Sequence, residues 1–164
     1  MRIQVFVKPY VRKYIAYKHP KTLTFHRKNI YAMLFFAEWK YRERVCYTND
    51  AIHKLSDVIY IELSQQQWID QRLKKEPKPV VYIAFNKIIR DFFFQDFFQF
   101  MDISYYAKLK TDSKTEIREI AQAWIDMLQL SDDEMSIETL LRTYRRYRDK
   151  TEEEILDIID QLDI

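Results

Sequence analysis

Apolar and polar positions along this chain recur at two periods, and the switch between them predicts its elements. Arg2–Val7 (RIQVFV) alternates with period two and is rich in β-formers, which predicts a first strand. Pro9 follows at a position suited to helix entry, so a helix is expected over Pro9–Tyr17. Its Val11, Tyr14, Ile15 and Lys18 side opposes Arg12 and Lys13, and His19-Pro20 ends it. Thr22–Phe25 fits a second short strand. Ile30–Glu43 is almost continuously apolar. Its length favours a helix capped by Asn29, with Ile30, Met33, Leu34 and Ala37 inward, although a strand over Ile30–Phe36 fits the same run. Thr48-Asn49-Asp50 marks a turn, and Asp57–Leu63 (DVIYIEL) reads as the clearest strand.

Helical spacing dominates the rest. Ser64 can cap a polar helix through Leu73, and Lys74–Pro79 reads as a loop. Val80–Met101 follows as a long core helix, with Phe85, Ile88, Ile89, Phe92, Phe93 and Phe97 as a wide apolar surface. Ala107–Ser113 reads as a second loop and a domain boundary. A capping box, Ser113-xx-Glu116, predicts a helix over Lys114–Gln129, striped by Ile117, Ile120, Ala121, Trp124, Ile125 and Leu128. An acidic connection, Leu130–Met135, leads to a helix over Ser136–Lys150, with Ser136 as its cap. Thr151-xx-Glu154 predicts a separate last helix over Glu152–Leu162. The pattern implies an α+β fold, mostly helical, with a small N-terminal sheet and a C-terminal helix-turn-helix-like unit. The expected domains are residues 1–110 and 111–164.

Composition narrows the chemistry. The 164 residues are 48% hydrophobic, enough to bury a core in about one domain. Glycine is absent, which excludes a P-loop, a GxGxxG dinucleotide turn and a nucleophile elbow. The single cysteine, Cys46, excludes an internal disulfide and fits a reducing cytoplasm. The N-terminus does not read as a signal peptide, and no apolar run is long enough to predict a membrane span. The net charge of +2 conceals a gradient. Residues 1–54 hold twelve Lys/Arg against three Asp/Glu, residues 55–110 eight against seven, and residues 111–164 seven against fifteen. A basic first third points to a polyanionic partner.

Two basic clusters are candidate contacts. Arg142, Arg145, Arg146 and Arg148 fall within seven residues, with Lys150 close behind. They can grip phosphates or read guanine edges. The competing explanation is a solvated face with Glu138–Arg142 and Arg145–Asp149 pairs at i,i+4, each worth only about 0.2–0.5 kcal/mol. Tyr144 and Tyr147 can pack inward or donate to phosphate. The second cluster, Lys8, Arg12, Lys13, Lys18, Lys21, Arg27 and Lys28, interleaves with Tyr10, Tyr14, Tyr17 and Phe25. Basic surfaces with aromatic platforms suit single strands, whereas the alternative makes those rings core and those lysines solubilising. No metal or cofactor site is expected. Cys46 and His53, or His19 and His26, lack a structural zinc spacing. Asp57, Glu62, Asp91, Asp96 and Asp102 do not cluster as a metal nuclease requires.

The text IREIAQAWIDMLQLSDDEMSIETLLRTYRRYR, ending in Tyr144-Arg145-Arg146-Tyr147-Arg148, resembles the C-terminal part of small DNA-associated regulatory proteins of bacteriophages and mobile elements. The resemblance implies a DNA-linked role in transcription or replication, and the acidic last helix departs from it. The expected function is therefore non-enzymatic DNA binding in the cytoplasm, to duplex rather than single strand. A homodimer is expected, because one small helical unit reads few base pairs. The alternative is a protein–protein module, a phage structural or host-interaction factor using exposed aromatics.

Overall fold

A computed structural model describes residues 2–26, 29–42, 55–64, 77–110 and 116–161. Among them are three strands and five helices, a mostly helical α+β fold. They are β1 (Arg2–Val7), α1 (Pro9–Lys18), β2 (Leu23–Thr24), α2 (Ile30–Arg42), β3 (Asp57–Glu62), α3 (Pro79–Lys110), α4 (Ile117–Leu128) and α5 (Ile137–Gln161). The chain forms two compact units, Met1–Phe93 and Phe94–Ile164, and the division falls within α3.

In the first unit β3 is central. It pairs antiparallel with β1, from Arg2↔Glu62 to Val7↔Asp57, and parallel with β2 at Leu23↔Ile61 and Thr24↔Glu62. The period of two decides which residues go inward: Ile3, Val5, Val7, Ile59 and Ile61 are buried, and Gln4 and Tyr60 are exposed. Along the first part of α3, Val81, Phe85, Ile89 and Phe93 repeat every fourth residue and are all fully buried. Phe93 meets Tyr10 and Tyr14 of α1 edge-on, with ring centroids 5.4 and 5.6 Å apart. Asn86 is the one polar side chain buried in this stretch of α3, and all its hydrogen-bonding groups are used. Its amide donates to the carbonyls of Phe6 (3.0 Å) and Tyr82 (2.7 Å), and its oxygen accepts from the Lys8 N–H (2.9 Å). It therefore fixes the corner between β1 and α1.

Asn29 caps α2 as expected, its side-chain oxygen accepting from the Ala32 N–H at 3.1 Å. The inward face of α2 differs from expectation. Ile30 and Met33 are 52% and 41% exposed, while Tyr31, Ala32, Phe35, Phe36 and Trp39 are buried. In a run apolar on every side, the face with the largest rings removes most area from water and turns inward. Phe35 touches Trp39, Tyr82 and Phe85, with centroids 5.9, 6.1 and 5.5 Å apart. The expected turn at residues 48–50 and the helix expected after Ser64 lie outside the described residues.

In the second unit Phe97 and Met101 of α3 form a core with Trp124 and Ile125 of α4 and Leu140, Leu141 and Tyr144 of α5. The Phe97 ring lies 5.9 Å from Trp124 and 6.2 Å from Tyr144. Three boundaries depart from the sequence pattern. Helix α3 continues past Met101 to Lys110, so residues 107–110 of the expected loop are helical. Helix α4 starts at Ile117 with Glu116 as an N-cap that makes no side-chain capping bond, and Ser113 lies outside the described residues. Helix α5 runs unbroken across Thr151, where a new helix was expected. The Thr151 hydroxyl bonds back to the Tyr147 carbonyl at 2.9 Å, so it is satisfied inside the helix and does not cap a new one. Without glycine, the C-cap of α4 is Gln129 in the left-handed region (φ 54°), and the N–H of Leu130 returns to the Ile125 carbonyl at 3.0 Å.

Candidate nucleic-acid interface

The Arg-rich stretch occupies the first half of α5. Ser136 caps it weakly, its hydroxyl accepting from the Thr139 N–H at 3.3 Å. Leu140, Leu141 and Tyr144 then fix the inward face, all three buried. Helical geometry sends Arg142, Arg145 and Arg146 outward, and all three are exposed. They lie within little more than one turn, about 5.4 Å of axis.

Both tyrosines of the motif pack inward. Tyr144 donates to Asp102 at 2.6 Å, and Tyr147 reaches the other carboxylate oxygen at 3.4 Å. Tyr147 also stacks on Phe98, with centroids 4.2 Å apart and planes within 10°. Burial, then the hydrogen bond to Asp102, pushes the Tyr144 phenol above its ordinary value. Asp102, one of the carboxylates considered for chemistry, is thus occupied by two phenols.

Among the described residues, the two i,i+4 pairs that would neutralise Arg142 and Arg145 do not form. Glu138 bonds Arg118 of α4 at 2.6 Å instead of its i+4 neighbour Arg142. Among the described residues Arg142, Arg145 and Arg146 make no ion pair, and neither does Asp149. Arg148 is more enclosed, with its guanidinium 5.9 Å from the centroid of the Tyr105 ring. Lys150 is exposed and also engages a neighbour. A groove of about 650 Å³ beside these side chains is lined by Arg118, Arg145 and Arg148 and also by Glu116, Glu138 and Asp149. Its charges balance with Arg145 counted at its rim, and Arg142 and Arg146, both exposed, stand outside the lining as the excess positive charge of an outer ridge.

Among the described residues, the N-terminal cluster is partly engaged by neighbours. The Arg12 guanidinium is bonded to Asp57, and its side chain remains 48% exposed. Lys13 is half-buried and engages a neighbour. Arg27 and Lys28 lie outside the described residues. Three of the four interleaved rings belong to the interior or its margin. Tyr10 and Tyr14 are buried, and Phe25 meets Phe36 at 4.5 Å. Tyr17 alone of the four is exposed. Of the acids weighed for chemistry, Asp57 and Glu62 pair with Arg12 and Arg2, and Asp91 with Arg90.

Two features escaped the sequence reading. The Arg118–Glu138 pair joins residues twenty apart, and only the fold brings them together. Tyr60 stands on the open face of the sheet beneath the Arg2 guanidinium, 5.3 Å from its ring centroid. The alternation of β3 signalled its outward direction, but nothing in the sequence signalled what surrounds it. No family model, no curated protein and no solved structure matches this chain.

Proposed function

We propose that this chain is a non-enzymatic DNA-binding protein of the regulatory type found in bacteriophages and mobile elements, acting as a homodimer. The outer ridge of α5 lies against the backbone of duplex DNA. Arg142, Arg145 and Arg146 supply phosphate contacts, with Arg148 and Lys150 at the margin. One observation carries this reading: three exposed guanidinium groups on a helix packed firmly along its other side have no intramolecular carboxylate partner among the described residues. Unpaired cations fixed on a scaffold release counterions when they neutralise phosphates, and that release supplies most of the affinity for any DNA sequence.

A mobility-shift series over salt concentration, with duplex and single-strand probes, tests it. Binding to duplex should weaken steeply with salt. The triple variant Arg142→Gln, Arg145→Gln, Arg146→Gln should flatten the log–log slope by about 0.9 for each phosphate that is no longer neutralised. Equal binding by parent and triple variant would rule the reading out.

A second reading is a protein–protein module. It is favoured by Ile103 and Tyr106, one turn apart on α3 and 69% and 66% exposed. Association through that pair should be insensitive to salt, and it should be abolished by Ile103→Ser with Tyr106→Ser.

A further inference from the structure

The first unit holds a cationic pocket of about 290 Å³ lined by Arg2, Arg12, His19, Lys21 and Tyr60. It sits where the sheet is incomplete. β2 pairs with β3 only at Ile61 and Glu62, so residues 57–60 of β3 have no strand on that side among the described residues. Ile15, Leu23 and Ile59 supply the apolar part of the lining.

The charges around the pocket do not cancel. Glu62 holds one terminal nitrogen of Arg2, and Asp57 holds Nε of Arg12. A guanidinium carries five N–H donors, so both arginines keep donors to spare. Lys21 is exposed and makes no ion pair among the described residues. The cations Arg2, Arg12 and Lys21 of the lining are thus met by only two carboxylates, those that pair with the arginines, leaving one positive charge in excess, the complement of one phosphodiester. Tyr60 adds a platform. It is 44% exposed, and Arg2 covers one face of its ring at 5.3 Å. A planar base stacking on an aromatic ring beside cations is the usual way a protein holds an unpaired nucleotide, and the volume is near the lower limit for small-ligand pockets, about 300 Å³.

We propose that this pocket holds one nucleotide of a single-stranded nucleic acid, with its base against Tyr60 and its phosphate between Lys21 and Arg12. The proposal rests on reading the chain as a nucleic-acid binder, but it uses none of the α5 arginines. It adds a single-strand site in the first unit to the duplex ridge of the second.

Fluorescence anisotropy with a short labelled oligo(dT), a labelled duplex and a labelled Glu-rich peptide tests it on the full chain. Tyr60→Ala and Lys21→Glu should each weaken oligo(dT) binding by between about fivefold and a hundredfold. Tyr60→Phe, which keeps the ring, should bind as the parent does. Far-ultraviolet circular dichroism confirms that each variant is folded. Arg142→Gln with Arg146→Gln should lower duplex binding more than oligo(dT) binding, because free guanidinium groups attract the phosphates of both but only the single strand also has the Tyr60 pocket. Oligo(dT) affinity that is unchanged in both Tyr60→Ala and Lys21→Glu would overturn the proposal. So would a parent that binds duplex but not oligo(dT), or one that takes the acidic peptide in its place. A parent that ignores duplex yet binds oligo(dT) through Tyr60 would overturn the α5 reading and support this one.

Discussion

The Tyr144 hydroxyl and the Asp102 carboxylate meet at 2.6 Å, joining the helix that carries the arginines to α3. The contact works because the ring is buried on the apolar side of α5 while Asp102 is half-buried and accepts a second phenol, Tyr147. A hydrogen bond to a charged acceptor contributes about 1.5–3 kcal/mol. Tyr144→Phe should therefore destabilise the second unit by roughly that amount, and Tyr147→Phe by less, because its bond is 3.4 Å long. Urea denaturation followed by circular dichroism measures both. A Tyr144→Phe midpoint equal to the parent's would show that the contact is incidental.

Alkaline pH should weaken the fold through its buried phenols. Burial is the main reason the Tyr10 phenol is pushed up from 10.0 to about 12, with Arg90 opposing and Asp91 adding. Tyr144 is raised as well, by burial and then by its bond to Asp102. Above pH 10 the unfolded chain loses phenolic protons that the folded chain retains. The unfolded state then binds fewer protons, and stability falls as pH climbs from 10 towards 12. Urea midpoints across that range should decline for the parent and decline less for Tyr10→Phe. Parallel declines would place the titrating groups elsewhere.

Asn86 should be among the least replaceable residues of the first unit. Asn86→Leu keeps most of the volume but leaves the Lys8 N–H and the Phe6 carbonyl without their side-chain partner. A polar group orphaned in a fully buried site costs about 1–3 kcal/mol, and these two part-buried groups should each cost towards the lower end of that range. Asn86→Asp restores the acceptor but places a carboxylate where two carbonyls need a donor, so it should not rescue. Thermal unfolding of the two variants decides the matter. Rescue by Asp would mean that only the Lys8 contact counts.

Thr151→Ala should be nearly silent. A capping threonine replaced by alanine costs about 1 kcal/mol, whereas a hydroxyl bonding back within a continuous helix contributes little. Thr151→Pro, by contrast, should cost about 3 kcal/mol by breaking the helix. The helical circular-dichroism signal and the urea midpoint read both effects.

The strands and most helix starts were legible because period and cap coincide. Arg2–Val7 alternates and is a strand, and Asn29 precedes an apolar run and caps it. The orientation of α2 was not legible, since Ile30-Met33-Leu34-Ala37 and Tyr31-Phe35-Phe36-Trp39 are both helical stripes. Ring area chose between them in three dimensions. Thr151 failed for a related reason. Its spacing to Glu154 suits a capping box, but a box forms only where the backbone leaves the helix, and nothing in Arg148–Glu153 forces it out. At the candidate ridge, the exposure of Arg142, Arg145 and Arg146 followed from the period alone. The diversion of Glu138 to Arg118 required a partner from another helix, which no local rule supplies.

The unbroken course of α5 places residues of opposite charge in series on one helix. Arg142 to Lys150 span roughly 12 Å at about 1.5 Å per residue. The same helix then continues through Glu152, Glu153, Glu154, Asp157 and Asp160. A cationic segment and an acidic one therefore follow each other in sequence along a single continuous helix, with the change of sign falling just after Lys150.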